Sequence, residues 1–328
     1  MSTLDIALST LLSPVVLFFI LGLGAALLRS QMSIPEAFAK GLSIYLMMAI
    51  GLKGGVEMSK TVIGLDVIVL LVVGMALSFS IPVLAYAALR FFSRLKPLDA
   101  AATAGHYGSI SIVTFVTAIE VLNFTDIGSS GHMVAVAAIM EVPAIVTALL
   151  LARRTCKRTR AIPGGDEGEL FREVFLNASV VVLLGSLAIG WIGGIDGMSK
   201  IEPFFVIPFQ GVLCLFLLDM GLSAGRGLRQ GRRQLDAGAL SFGIYMPLLS
   251  AGLTALLCLL LPLGTGDAAL LITLAASASY IAVPAATRLA IPQAQSSIYL
   301  TLSLGVTFPF NVIVGIPIYI FLANLVAG

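Results

Sequence analysis

Residues 99–114, DAAATAGHYGSISIVT, and residues 267–282, DAALLITLAASASYIA, are two versions of one motif placed 168 residues apart. Both versions open with Asp-Ala-Ala, and both carry a Ser-x-Ser sequence ten residues later, at Ser109 and at Ser277. A hydrophobic chain whose second half repeats its first half is typical of a secondary transporter.

Two further pairs support the repeat. Residues 50–55, IGLKGG, match residues 220–225, MGLSAG, at an offset of 170, and Pro143 matches Pro309 at an offset of 166. Chance similarity among apolar segments is the alternative, and three matched pairs in the same order argue against it.

The composition indicates an integral membrane protein. Hydrophobic residues make up 59% of the 328 residues, charged residues make up 11%, and the mean hydropathy is +1.05. Runs of about 20 apolar residues, long enough to cross a bilayer core of about 30 Å, recur along the chain and exclude a soluble domain. They predict ten transmembrane helices, near residues 8–28, 36–52, 62–88, 98–122, 131–152, 176–194, 204–222, 238–262, 268–290 and 296–325.

The basic residues predict the orientation of these spans. With both termini outside the cytoplasm, sixteen Lys and Arg residues fall on the cytoplasmic side and only Lys53, Lys60 and Lys200 fall outside. This bias follows the positive-inside rule. Each repeat contains five spans, an odd number, so the second repeat enters the membrane in the opposite sense. We therefore predict two inverted five-helix repeats, residues 1–152 and 176–328, joined by a cytoplasmic linker over residues 153–175.

The fourth and ninth predicted spans contain the candidate binding site. Gly108, Ser109 and Ser111 lie in the middle of one span, and Ser277 and Ser279 lie in the middle of the other. Glycine and serine weaken a helix interior, and irregular backbone at membrane depth lines a cavity or is buried in protein. We predict that both helices are discontinuous and that their restarting N-termini, with the serine hydroxyls, bind a small anion. Close helix packing is the alternative explanation for such small residues.

At these residues the chain resembles the cyanobacterial-type sodium-dependent bicarbonate transporter family. The resemblance rests on residues 34–37 with 50–55, on residues 99–108, on residues 141–148, and on residues 275–279 with Ile291-Pro292 and Tyr299. It implies ten spans in inverted halves, a core bundle that moves against a scaffold, a homotrimer, and sodium and bicarbonate bound between two broken helices.

Two departures from the family pattern concern the site. Tyr280 stands where the family carries a carboxylate after its serines, and Ile112-Val113 stands where the family continues with Gly-Ser, whereas Ser111 and Thr114 still match. Sodium prefers oxygen ligands that include carboxylates, so these departures leave open whether the coupling ion is Na+ or H+. The central linker is shorter than that of the family, which argues against regulation by the PII-like partner associated with it.

The candidates for cation binding or coupling are Thr114 and Tyr280 beside the serines, and the ionisable residues Glu141 and His106. Glu141 lies well inside the fifth predicted span, where a charge is costly and is by default a functional-site hypothesis; a structural carboxylate is the alternative. His106 lies three residues before Ser109, at a position where the family is apolar, and histidine can titrate near neutral pH. Proton coupling through His106 and a packed neutral histidine both remain open.

These observations together predict a transporter of the bacterial inner membrane rather than an enzyme. We find no nucleophile–base pattern, metal-ligand cluster, phosphate-binding loop or nucleic-acid motif, and we expect no cofactor besides a co-transported Na+. The expected function is sodium-dependent symport of bicarbonate by alternating access. The alternatives are a symporter of another small anion such as a short carboxylate, with proton coupling left open, and a membrane anion sensor that does not transport.

Overall fold

The computed structural model describes residues 12–60, 64–157, 178–231, 235–280, 283–284, 287, 291 and 293–327. Helix is the only regular secondary structure over these ranges, which confirms the all-α prediction. Most of the linker predicted over residues 153–175, and the second half of the ninth predicted span, lie outside the described residues. The helices are α1 (Pro14–Leu27), α2 (Glu36–Ser59), α3 (Leu65–Phe92), α4 (Pro97–Gly108), α5 (Ile112–Phe124), α6 (Met133–Ile139), α7 (Glu141–Lys157), α8 (Ala178–Phe205), α9 (Phe209–Gly231), α10 (Ala237–Cys258), α11 (Thr265–Ala276) and α12 (Ser296–Val326).

Seven helices within the described residues are long and apolar enough to cross a membrane. They are Leu65–Phe92, Pro97–Phe124, Met133–Ala152, Val181–Phe205, Phe209–Arg229, Ala237–Cys258 and Ser296–Val326. The other three predicted spans correspond to α1 and α11, which are apolar but short, and to α2, which carries four charged residues. The chain is therefore a multi-pass membrane protein, and the count of ten spans stays a prediction.

Several predicted helix boundaries differ from the structure: α2 continues to Ser59 rather than ending near residue 52, and α9 continues to Gly231 rather than ending near residue 222. The predicted end of the sixth span near residue 194 coincides with a kink at Gly194, beyond which a second helical stretch of α8 runs to Phe205. The backbone of Gly194 has φ 54° and ψ −155°, which is a conformation open to glycine but strained for other residues. Gly194 therefore separates two helical stretches of α8 at a kink.

The helices form two bundles. Helix α1 packs along α9 and α2 packs along α8, and we call these four helices the scaffold bundle. Helices α3 to α7 and α10 to α12 pack mainly on one another, and we call them the core bundle. Large aliphatic side chains remain exposed on the outer surface of α8; Ile192, for example, is 87% exposed. Such exposure fits a surface that contacts lipid rather than water.

Glycines bring the scaffold helices into backbone contact in two equivalent ways. A side chain at Gly55 would collide with the backbone of Leu187 and Trp191, and one at Gly221 would collide with the backbone of Phe19 and Leu23. The first contact joins α2 to α8, and the second joins α9 to α1. The two glycines differ by 166 in residue number, and the residues they contact, Leu187 and Trp191 against Phe19 and Leu23, differ by 168. The pairing of α2 with α8 therefore repeats in the pairing of α9 with α1.

Two aspartates make a second equivalent pair of contacts in the core bundle. Asp99, in the first turn of α4, accepts a hydrogen bond from the backbone N–H of Gln295, just before α12 (2.8 Å). Asp267, in the first turn of α11, accepts hydrogen bonds from the backbone N–H and the hydroxyl of Ser130, just before α6 (both 2.7 Å). Each aspartate thus ties the start of one short helix to the loop that precedes the last predicted span of the other half.

Candidate functional site

The helical segment from Pro97 to Phe124 is interrupted at three residues. Helix α4 ends at Gly108, Ser109 and Ser111 have extended backbone conformations, and α5 begins at Ile112. The Ser111 hydroxyl is the N-cap of α5, since it accepts hydrogen bonds from the backbone N–H (3.2 Å) and the hydroxyl (2.9 Å) of Thr114. Ser109, Ser111 and Thr114 are all buried.

Gly108 has a steric reason to be glycine. A Cβ atom at this position would collide with the ring of Pro82 and with the carbonyl oxygen of Ser78, both in α3. Pro82 has no N–H to bond that carbonyl, so the backbone of α3 is open at this point. Gly108 therefore allows α4 to end in contact with the proline-interrupted part of α3.

Helix α11 ends in the same way as α4, with a serine in an extended backbone conformation after its last residue. Helix α11 ends at Ala276, and Ser277 has φ −85° and ψ 165°, close to the φ −87° and ψ 154° of Ser109. Residues 277–279 are not helical, and the described residues 283, 284 and 287 are. The first serines of the two Ser-x-Ser sequences therefore share one backbone conformation.

The two non-helical segments cross and hydrogen-bond to each other. The backbone N–H of Ser111 donates to the hydroxyl of Ser277 (2.9 Å), which donates in turn to the carbonyl of Leu274 (2.9 Å). In the opposite direction, the backbone N–H of Ser279 donates to the carbonyl of His106 (2.7 Å). We call this arrangement the crossing. It brings together the residues predicted to bind the anion, which are Gly108, Ser109, Ser111, Ser277 and Ser279.

The crossing changes which donors are open to an anion. The amides of Ser111 and Ser279, which the sequence offered as donors, already donate to Ser277 and His106. Ile112 and Val113 occupy the first two positions of α5, where backbone N–H groups have no acceptor within the helix. The buried hydroxyl of Ser109 has no hydrogen-bond partner in the part of the chain that the structure describes. The hydrogen bonds of the crossing use none of these three donors.

His106 is held against the second non-helical segment. Its Nδ1 atom lies 2.7 Å from the carbonyl oxygen of Ser279, and its ring stacks on Tyr299 with centroids 4.5 Å apart. Because a carbonyl can only accept, Nδ1 carries the proton, and in the neutral ring Nε2 is then an acceptor. Nε2 is buried and has no partner among the described residues.

Tyr280 and Thr114 both lie beside Ser111. The Tyr280 side chain approaches Ser111, and its ring meets that of Phe308 edge to face at 5.0 Å. Tyr280 is 8% exposed and Thr114 is 1% exposed. The residue that replaces the family carboxylate thus packs at the crossing as an aromatic ring.

Glu141 lies at a second irregular point, between α6 and α7. The hydroxyl of Ser78 donates to the carbonyl of Met140 (2.5 Å) and accepts from the backbone N–H of Ala144 (3.1 Å), so it bridges the junction. Glu141 is 4% exposed, and no hydrogen bond or ion pair within the described ranges joins it to the crossing. The structure therefore brings Thr114 and Tyr280 to the serines and places Glu141 as a buried residue at the start of α7, beside the junction that Ser78 bridges.

Sequence reasoning missed the polar residues of α12. Thr307 and Asn311 are fully buried, and they bond to Tyr107 near the end of α4 and to Ala276 at the end of α11. Their signal in the sequence was present: a threonine and an asparagine four residues apart flank Pro309 in an otherwise apolar span. Such residues inside a membrane helix bond to neighbouring helices.

Comparison with known proteins adds one finding. A family model described as the Na+-dependent bicarbonate transporter superfamily matches residues 14–324. A search of the curated proteins gives no match. The family match covers both bundles and every residue of the crossing.

Proposed function

The chain belongs to the Na+-dependent bicarbonate transporter superfamily, and from this premise we propose that it imports bicarbonate together with Na+ by alternating access. Bicarbonate would bind at the crossing, between the core bundle and the scaffold bundle. The observation that carries this proposal is the pair of crossed helix ends, which leaves the first-turn amides of α5 and the Ser109 hydroxyl as buried donors. A helix N-terminus with its dipole favours a small anion.

Inverted repeats are supported by contacts that recur between the halves. The carbonyl of His106 meets the amide of Ser279 directly, and the equivalent carbonyl of Leu274 meets the amide of Ser111 through the Ser277 hydroxyl. Both residue pairs differ by 168 in number, as do Asp99 and Asp267. Such equivalence is expected when a pseudo-twofold axis lies in the membrane plane. We propose ten spans in two inverted five-helix repeats on this basis.

Glu141 is our candidate for the negative charge that accompanies Na+. Three acidic side chains of the described chain are buried, namely Asp99, Glu141 and Asp219. Asp99 already accepts a backbone hydrogen bond at the start of α12, and Asp219 belongs to the scaffold bundle. Of these three buried acidic side chains, Glu141 in the core bundle remains as the candidate. Because Tyr280 supplies no carboxylate, the oxygen ligands for Na+ must come from groups such as the Thr114 hydroxyl and the carboxylate of Glu141.

Alternating access requires contacts between the bundles that can break. One such contact joins Glu120, near the end of α5, to Gln210, at the start of α9; the Gln210 Nε2 atom donates to Glu120 Oε2 at 2.9 Å. Lys53 in α2 lies on the ring of Phe209, also in the scaffold, at 4.4 Å from its centroid. We propose that the core bundle carries the crossing past this edge of the scaffold bundle.

The function is tested by uptake of radiolabelled bicarbonate into proteoliposomes. An inward Na+ gradient is compared with K+ in place of Na+, at constant bicarbonate concentration. Uptake that needs Na+ is the expected result. Absence of uptake with either cation, from folded protein, would contradict the proposal and favour a membrane anion sensor.

Proton-coupled transport of bicarbonate or of a short carboxylate is the second candidate. The observation in its favour is the buried Nε2 lone pair of His106, close to the crossing. Uptake that follows an inward proton gradient without Na+ would support it.

We further propose location in the bacterial inner membrane with both termini outside the cytoplasm, and a homotrimer. The orientation rests on the distribution of Lys and Arg, and the trimer rests on family resemblance. Light scattering of the detergent-solubilised protein measures the oligomeric state directly.

A further inference from the structure

Helix α12 has an irregular middle. It contains two stretches of π-helix, Thr301–Thr307 and Asn311–Gly315, on either side of Pro309. Stretches of π-helix are rare and occur frequently at functional sites. The last residue of the first stretch, Thr307, and the first residue of the second, Asn311, are both fully buried.

Thr307 is bonded to the end of α4. Its hydroxyl donates to the carbonyl of Gly243 in α10 (2.7 Å), and the Tyr107 hydroxyl lies 2.6 Å from the same oxygen. A hydroxyl has one hydrogen to donate. Tyr107 must therefore donate to Thr307. Tyr107 is the residue before Gly108, where α4 ends.

Asn311 is bonded to the end of α11. Its Nδ2 atom donates to the carbonyl of Ala276 (2.9 Å), and its Oδ1 atom accepts from the hydroxyl of Tyr319 (2.6 Å). The opposite orientation of the amide would place an oxygen against the Ala276 carbonyl, so these two bonds fix the orientation. Ala276 is the last residue of α11, and its carbonyl has lost the helical partner that a continuous helix would supply.

The residue that follows Thr307 connects the crossing with the scaffold bundle. The ring of Phe308 packs edge to face on Tyr280 at 5.0 Å and on Phe19 of α1 at 5.2 Å. One short segment of α12 thus contacts both helix ends, the crossing and the scaffold.

We propose that Thr307 and Asn311 are positioning residues that hold the ends of α4 and α11 at the spacing the anion site requires. The proposal rests on the proposed function for its effect on transport. Loss of either bond lets one helix end move, so that the first-turn amides of α5 and the Ser109 hydroxyl no longer converge. The apparent affinity for bicarbonate then falls, although neither residue needs to touch the anion.

The test compares variants that remove the hydrogen bonds from Thr307 and Asn311 to other helices with a control variant that removes a hydrogen bond within α12. Thr307→Val keeps the shape of the side chain and loses the hydroxyl, and Asn311→Asp loses the Nδ2 donor and keeps the acceptor for Tyr319. Thr307→Ser restores the hydroxyl. Ser303→Ala is the matched control, because the fully buried Ser303 hydroxyl donates within α12, to the carbonyl of Tyr299 (2.7 Å), and bonds to no other helix among the described residues.

We expect the KM for bicarbonate to rise about tenfold in Thr307→Val and Asn311→Asp, the size of effect that corresponds to one lost buried hydrogen bond. Thr307→Ser and Ser303→Ala should stay within about twofold of the wild type. An unchanged KM in Thr307→Val and Asn311→Asp, or an equal rise in Ser303→Ala, would overturn the proposal.

A second measurement does not depend on transport. Amide hydrogen exchange over residues 106–114 and 274–280 should become faster in Thr307→Val and Asn311→Asp and stay unchanged in Ser303→Ala, since exchange reports local opening. If the wild type fails to transport bicarbonate but the exchange pattern holds, the proposed function fails and the positioning role stands. If exchange is unaltered in both variants, the positioning role fails.

Discussion

His106 binds both backbone polar groups of Ser279: its carbonyl accepts from the Ser279 N–H, and its Nδ1 donates to the Ser279 carbonyl, each at 2.7 Å. A residue that satisfies both backbone polar groups of a buried, non-helical residue takes the place of secondary structure at that point. The histidine therefore acts as a clamp between the end of α4 and the non-helical segment after α11.

The clamp predicts how substitutions of His106 behave. In His106→Asn the amide nitrogen can donate in place of Nδ1, so transport and its pH profile should be retained. In His106→Leu the donor is lost, and we expect the free energy of unfolding to fall by about 1–3 kcal/mol because the Ser279 carbonyl is left buried without it. Bicarbonate uptake at fixed bicarbonate concentration, measured from pH 6 to 9, checks His106→Asn, and unfolding in detergent compared with the wild type checks His106→Leu. A pH profile that flattens in His106→Asn would contradict the clamp and favour proton coupling.

The second prediction concerns Glu141 and the Na+ requirement. If its carboxylate helps to bind Na+, Glu141→Gln should raise the half-saturating Na+ concentration about tenfold or more, since tenfold corresponds to about 1.4 kcal/mol. Bicarbonate uptake as a function of Na+ concentration measures the change. Glu57→Gln is the control, because Glu57 is an exposed carboxylate paired with Lys60. An unchanged Na+ dependence in Glu141→Gln would remove Glu141 from the cation site.

The third prediction concerns the contact between Gly108 and α3. Gly108→Ala should lower the free energy of unfolding by about 1–3 kcal/mol, because the added methyl group meets the Pro82 ring and the Ser78 carbonyl, and neither is a flexible side-chain end. Gly252→Ala is the control, since a Cβ atom there would have no neighbour within 4 Å. Thermal unfolding in detergent compares the two. Equal melting temperatures would show that α4 can move away from α3 without cost.

The site could be located from sequence in part. Ser109, Ser111, Ser277 and Ser279 belong to repeated clusters of residues that weaken helices, so local propensity alone marks them. Helix propensity does not identify the hydrogen-bond partner of each backbone N–H or C=O group at the interrupted helix ends. The sequence predicts that the backbone N–H groups of a restarting helix near Ser279 face the anion, whereas the structure pairs the Ser279 N–H with the carbonyl of His106, a contact between residues 173 positions apart.

The register of the repeat was also beyond the sequence. The glycines of residues 50–55 align with those of 220–225 at an offset of 170, but the backbone contacts make Gly55 equivalent to Gly221, an offset of 166. The difference of four residues is about one helical turn and keeps the same helix face towards the partner. A pattern of small residues on one face therefore leaves the register undetermined until the partner helix is known.

The contact between Glu120 and Gln210 gives the last prediction, because it joins the two bundles that alternating access must move apart. Cysteines at both positions, joined by a short bifunctional thiol reagent in a variant without the native cysteines, should abolish bicarbonate uptake, and reduction should restore it. The control pair replaces Lys53 and Phe209, which contact each other within the scaffold bundle. Its cross-link should leave uptake intact, since no relative motion is needed there. Full uptake with Glu120 and Gln210 positions cross-linked would show that this edge of the core bundle stays fixed during transport.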